Sequence, residues 1–198
     1  IWSELGNSYN SDMLSAADAP KTWLDLCNPR YKGTVSFEPL ELRFLAGLDA
    51  ILGEDKLVQF LQCMGKNAPI IMRGHSARMT LMLAGDHAIN SDNYFYEGFK
   101  ARRDHHAPFM PIFTAPLMGY GNGVFINKDA VHPYAAALYV DWALSDESQN
   151  FAARVLRNPI TQPSPVIPES APLVTFSFPD DALRERLEND WKQYMVAK

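Results

Sequence analysis

The sequence predicts an α/β fold, and three observations carry that prediction. Short runs of β-forming residues alternate with longer segments of helical periodicity. Glycine and proline stand at most of the changes of period. At 198 residues, 47% hydrophobic and 21% charged, the chain has the balance of an ordinary globular protein with one large domain or two small ones.

Residues 1–19 hold few periodic apolar positions and predict no element. Pro20 opens a short helical turn, with Thr22 as N-cap and Trp23, Leu24 and Leu26 on its apolar side. Asn28-Pro29 ends it, because a residue before proline is pushed out of the helical region. Gly33 to Phe37 alternates and is rich in β-formers, which predicts a strand. Leu40, Phe44, Leu45, Leu48 and Leu52 predict a helix over 40–52, stopped by Gly53. A second helix follows over 56–64 and closes at Gly65. Ile70-Ile71-Met72 reads as a short strand running into Arg73-Gly74-His75, after which Ser76 caps a helix reaching Ala84. His87 to Asn90 predicts a strand, Tyr94 to Arg103 a helix, and Pro108 to Phe113 an extended piece.

Gly119 to Gly123 reads as a flexible crossing and a candidate hinge, and Val124-Phe125-Ile126 as a strand. His132-Pro133 opens a helix through Leu144, with proline in the first turn, where its missing N–H costs nothing. Ser145 caps the next helix, with Asp146 and Glu147 favoured by the helix dipole, and it runs to Leu156. Five prolines make 157–172 an extended loop, and an amphipathic helix covers 180–195. Tyr139, Trp142 and Phe151 have helical spacing and read as core.

The net charge is −5, which argues against generic nucleic-acid binding. Residues 20–119 are nearly neutral, with eleven Lys/Arg against ten Asp/Glu, so the acidity lies in the flanks. This leaves arginines available for a small anion. No apolar run reaches membrane-spanning length. Cys27 and Cys63 are 36 residues apart without metal-site spacing, and read as two buried free thiols, with a disulfide allowed if the protein is exported. Ile1-Trp2-Ser3 does not begin a signal peptide, which leaves the compartment open.

Pro20-Lys-Thr-Trp-Leu-Asp-Leu-Cys-Asn-Pro-Arg-Tyr-Lys-Gly33 resembles a segment of bacterial extracellular solute-binding proteins, the ligand-capturing components of ABC importers. The branch is the one containing the ferric-ion-binding proteins. Leu83-Ala-Gly-Asp86 resembles the family's A-G-E turn, with Asp86 for the usual Glu. The run from Lys128 to Gln149 resembles its K-x-A-P-H-P-x-A-A and L-S-x-E-G-Q segments, with Val131 replacing Pro and Ser148 replacing Gly. Arg157-Asn-Pro159 resembles the R-x-P that follows. The resemblance spans about residues 18–160 with motifs in family order.

The resemblance implies a type II periplasmic-binding-protein-like α/β fold. Residues 1–19 would be a crossing segment from the first lobe, 20–119 the second lobe, and 120–198 a crossing strand with the helical C-terminal return of the first lobe. Most of the first lobe would then lie outside this chain. The helices after Pro133 would lack the sheet they cover, and would repack, pair with a second copy or be covered by another chain supplying that lobe. The implied protein is not an enzyme. It captures a small solute, ferric ion or a small anion, between two lobes, closes by a hinge and presents it to an inner-membrane ABC permease. It would work in the periplasm or outside the cell, associated with the membrane through the transporter, and needs no cofactor.

Arg73, Gly74, His75 and Ser76 precede a helix, where free N–H groups and the dipole favour an anion and Arg73 adds a charge-assisted contact. Simple capping by Ser76 with Arg73 solvated accounts for the same residues. Gly74-His75-Ser76 also resembles a nucleophile elbow without its last glycine, so a serine or metal-dependent hydrolase is the alternative. Asn93, Tyr94 and Tyr96 lie where ferric-binding relatives carry a tyrosine pair, here interrupted by Phe95. Phenolates suit Fe(III), so Tyr94 and Tyr96 are candidate iron ligands. Tyr94 also matches the single tyrosine of relatives that do not use iron, and aromatic packing is the plain alternative. His87, His105 and His106, with Asp86 and Asp104, read as a solvated loop, since adjacent residues do not readily face one metal. Arg73, Ser76 and Tyr94 are expected on one face, within about 12 Å, the reach of side chains converging on a small ligand.

Overall fold

The computed structural model describes residues 1–196. Its first strand, β1 (Trp2–Asn10), is also its longest, and periodicity does not reveal it. Only Trp2, Leu5 and Tyr9 are large and apolar there, while Ser3, Glu4, Asn7, Ser8 and Asn10 are buried polar residues. What makes this segment a strand is its neighbours on both sides.

The remaining elements are β2 (Val35–Phe37), α1 (Leu42–Leu52), α2 (Glu54–Lys66), β3 (Ile70–Ile71), α3 (His75–Ala84), β4 (Ile89–Asn93) and α4 (Phe95–His105). Then come β5 (Phe109–Pro111), β6 (Leu117–Gly121), α5 (Pro133–Leu144), α6 (Asp146–Arg154), β7 (Leu173–Thr175) and α7 (Asp181–Tyr194). The strands form one seven-stranded sheet in the order β3-β2-β4-β1-β6-β7, with β5 also paired to β1. β1 runs antiparallel to β4, β5 and β6, whereas β2 pairs in parallel with β3 and β4, and β6 with β7.

β1 changes partners midway. Trp2 to Leu5 pair with β6, and the pairing with β4 begins at Gly6. A Cβ at Gly6 would stand 2.6 Å from the Phe95 ring and 2.7 Å from Leu117, so glycine lets both half-sheets close on the switch. α1, α2 and the sheet enclose one apolar core around Phe37, Phe44, Leu57 and Phe60. Met79, Met82, Phe95, Phe109 and Leu117 form a second.

Several expectations are corrected. Cys27 and Cys63 are not free thiols: they form a disulfide joining the 3-10 turn Leu24–Cys27 to α2, with Cα atoms 5.4 Å apart. Gly119, read as part of a flexible crossing, is buried in β6 between β1 and β7, and a Cβ there would approach Leu173 to 3.0 Å. Its glycine serves close packing. Val124 to Ile126 form no strand, and Phe125 is 88% exposed, because no neighbouring strand is offered to them. β7 rises out of the proline-rich stretch by pairing with β6.

α7, grouped by the sequence with the 120–198 return, packs on α1 and α2. Leu187 and Trp191 join the core of Leu57 and Phe60, and Arg186 lies 2.9 Å from Asp49. α5 and α6 behave differently. No residue of α5 is buried, and Tyr134 and Leu138 are 86% and 71% exposed. Tyr139, Trp142 and Phe151, read as core, are likewise exposed, because no other element of the described residues covers that face.

Candidate functional site

β2, β3, β4, β6 and β7 point one way, so their C-terminal ends share one edge of the sheet. In open α/β sheets the loops at such an edge form the ligand site, since helix starts and free backbone groups converge there. Here they are Glu38 to Glu41 after β2, Arg73-Gly74 after β3, Tyr94 after β4, and Tyr120 near the end of β6.

The loop after β3 turns at Gly74, whose φ of +103° is a conformation that side chains resist. Gly74 N–H donates to Glu38 Oε2 at 2.8 Å. The expected capping by Ser76 does not occur. α3 starts at His75 with Gly74 as N-cap and no side-chain cap. Ser76 lies too far into the helix to cap it and donates its hydroxyl to Glu97 Oε1 at 2.6 Å. The first turn of α3 therefore keeps unpaired N–H groups. Arg73 is exposed beside it.

His75 and Tyr94 meet edge to face, with ring centroids 4.7 Å apart. The Tyr94 and Tyr120 hydroxyls are 2.5 Å apart. Arg43 reaches the Tyr120 hydroxyl at 3.3 Å and holds Glu41 through bonds of 2.7 and 3.1 Å. Tyr96 stands 6.3 Å from Tyr94 between ring centroids, and its hydroxyl donates to Glu97 at 2.8 Å. The Arg157 guanidinium lies 3.6 Å from the centre of the Tyr96 ring. Asn93 is buried and braces the site from within: its Nδ2 donates to the His75 carbonyl at 3.1 Å, and its Oδ1 accepts from Tyr94 N at 2.7 Å.

Beneath these groups lies Arg78, fully buried on α3. It is 2.7 Å from Asp92, also fully buried, and 3.7 Å from Glu38. It donates to Asn90 Oδ1 at 3.0 Å and to the Ser91 carbonyl at 2.8 Å. An arginine so forked answers the polar run Asn90-Ser91-Asp92-Asn93, which would be costly to bury unpaired.

Environment sets the proton affinities. Burial, then the hydrogen bond with Tyr120, pushes the Tyr94 phenol well above its ordinary range. Burial and the bond to Glu97 raise Tyr96 as well. Burial, reinforced by Arg78, lowers His75. Burial would raise Glu41, but the bonds from Arg43 outweigh it and hold that carboxyl low.

Of the residues the sequence singled out, His75, Asn93, Tyr94 and Tyr96 are thus linked by direct contacts, Ser76 joins Tyr96 through their shared partner Glu97, and Arg73 and Gly74 precede His75 in the chain. Sequence reasoning missed Glu41, Arg43, Tyr120 and Arg157. The usable signal for Glu41 and Arg43 was their place between a strand and a helix, the position that also pointed to Arg73. His87 is buried, and His105 and His106 are exposed at the end of α4. No three His, Cys, Asp or Glu side chains cluster for a metal among the described residues.

The chain is similar to an uncharacterized protein of Haemophilus influenzae (strain ATCC 51907 / DSM 11121 / KW20 / Rd), 27% identical over 191 residues, 88% of this chain and 55% of that protein. It therefore spans about half the length of this curated relative. Three solved structures share the fold. They are the periplasmic binding protein P5PA (TM-score 0.78, 22% identity, 98% of this chain and 67% of that one), AfuA from Actinobacillus pleuropneumoniae with fructose-6-phosphate (0.74, 20%, 98% and 66%), and iron-bound HitA from Pseudomonas aeruginosa (0.73, 19%, 96% and 68%). The type II periplasmic-binding-protein fold is thereby established. The family model described as bacterial extracellular solute-binding protein matches residues 2–190, nearly the whole chain, and the chain belongs to that family.

Proposed function

We propose that the edge site binds a small anionic solute, as part of the substrate-binding component of an ABC importer. The observation that carries this reading is the uncapped start of α3 with Arg73 exposed beside it. Glu41 is held by Arg43, and Glu97 accepts from Ser76 and Tyr96. Arg73 and Arg157 form no ion pair among the described residues, and the start of α3 has no side-chain cap. Hydroxyl donors leave the charge of Glu97 in place, but the free N–H groups at the start of α3 and the exposed Arg73 offer donors that an anion complements. Arg73, Gly74, His75, Ser76 and Tyr94 contact the solute in this reading, and Asn93 positions them.

Ferric ion is the second reading, favoured by the two phenol oxygens of Tyr94 and Tyr120 side by side. Against it, Tyr94 holds its proton tightly and Tyr96 is turned to Glu97. A hydrolase is less well supported. Ser76 Oγ is bonded to Glu97, and His75 Nδ1 faces Arg78, so the two do not form a nucleophile–base pair.

The exposed α5–α6 face completes the proposal. Tyr134, Leu138, Trp142 and Phe151 call for cover. We assign that cover to protein outside residues 1–198, the remainder of a first lobe that closes over the edge site, with the permease as its partner and the periplasm as its place of work.

A thermal-shift screen of the native protein tests this. Phosphate, sulfate and a sugar phosphate are set against ferric nitrilotriacetate, spermidine and thiamine. An anion at 100 times its Kd stabilises by about 2.7 kcal/mol. A response to ferric nitrilotriacetate alone, or to none of the six, overturns the anion reading.

A further inference from the structure

We infer that Arg78 holds His75 as the neutral Nε2–H tautomer, so that His75 is a fixed N–H donor at the site and Arg78 is its positioning residue. This deepens the anion-binding proposal and rests on it only for the identity of the acceptor. The geometry decides the tautomer. Arg78 Nη2 is 2.9 Å from His75 Nδ1. A guanidinium has N–H donors and no acceptor, so Nδ1 must be bare and the ring proton must sit on Nε2.

Neither partner is free to turn away. Arg78 is fully buried, with its other arm on Asn90 Oδ1, the Ser91 carbonyl and Asp92. The backbone of His75 is held by Asn93 Nδ2 on its carbonyl, and the preceding N–H is held by Glu38. The ring is packed edge to face on Tyr94. Nε2 has no hydrogen-bond partner among the described residues, and His75 is partly exposed. The charged groups around the ring are Arg78 on α3, Glu38 after β2, and Glu41 with Arg43 at the start of α1. Burial and the nearby arginine disfavour the doubly protonated ring, which supports a neutral donor.

The consequence is selectivity. A fixed N–H beside uncapped helix N–H groups rewards a ligand oxygen and gives nothing to a ligand donor. A histidine free to change tautomer would serve both.

Two measurements decide the matter. Long-range nitrogen–proton NMR of histidine-labelled native protein at neutral pH reads the tautomer without any ligand. A bare Nδ1 and protonated Nε2 at His75 are expected, with a mixed population in Arg78→Lys, which loses the Nη2 arm. An Nδ1–H, mixed or doubly protonated His75 in the native protein overturns the inference, whether or not Arg78→Lys folds. Binding of inorganic phosphate then tests the donor. His75→Gln places an N–H near the Nε2 position and binds more tightly than His75→Asn, which does not reach it and loses about tenfold or more relative to the native protein. Equal affinities for the two variants overturn the donor role. Failure of the native protein to bind phosphate counts against the anion reading, while the tautomer stands or falls on the NMR alone.

Discussion

At the scale of single residues, the site is built on buried polar groups that local pattern does not mark as special. Arg78 is one turn into α3 at a position a helix would readily give to solvent, yet it is fully buried because Asp92 and the carbonyl of Ser91 await it. The Arg73-Gly74-His75-Ser76 turn was legible, because a strand followed by glycine and a helix start has few meanings. Tyr120 was not, because nothing near Gly119 says that its hydroxyl meets Tyr94. His87 offers a pH test at this scale. It is 2% exposed, its Nε2 is buried without a partner, and burial followed by Arg78 lowers its pKa against a weaker pull from Asp86. Below its unfolded value of about 6.5 the unfolded chain binds a proton that the folded protein resists, so this residue's contribution to stability is lost as pH falls. Melts of the native protein and His87→Gln at descending pH should show the native protein losing ground to the variant below that value and holding steady above it. A gap independent of pH contradicts the assignment.

Elements came through unevenly. The helices of 40–52, 56–64, 94–103 and 133–144 appear close to their expected limits, since each carries its own periodicity and stop signals. α1 begins at Leu42 because Leu40 has a φ of +48° and Glu41 caps the helix through Arg43 N. Strands fared worse: β1 and β7 are defined by partners rather than by their own residues. The disulfide joins the turn at Leu24–Cys27 to α2, closing a loop across 36 residues. A crosslink over a loop of this length contributes roughly 3–4 kcal/mol, mainly by restricting the unfolded chain. Reduced and alkylated protein should therefore melt roughly 10 °C lower in a calorimeter. An unchanged melting temperature would mean that the crosslink restricts the unfolded chain far less than its loop length implies.

For the whole molecule, the dominant feature is the contrast between an enclosed α1–α2–α7 core and an open α5–α6 face. Each large apolar side chain left wet forgoes about 1.5–3 kcal/mol of burial. Tyr134, Leu138, Tyr139, Trp142, Leu144, Phe151 and Val155 are all exposed. Residues 1–198 alone should therefore self-associate at micromolar concentration, and Leu138→Glu should shift sedimentation toward the 22.3 kDa monomer. A native chain that sediments as a monomer throughout removes the need for cover on that face.

What the sequence determined by itself is the α/β alternation, the helices, and family membership through motifs spread from Pro20 to Pro159. These are local quantities: a period, a cap or a short motif is written within a dozen residues. Tertiary structure alone decided the central place of β1, the pairing of Cys27 with Cys63, the docking of α7, and the entry of Arg43, Tyr120 and Arg157 into the site. The physical reason is that strand pairing uses backbone groups that almost every residue carries. Which distant side chains meet at the sheet edge depends on strand order and register, and neither is written in the side chains that meet.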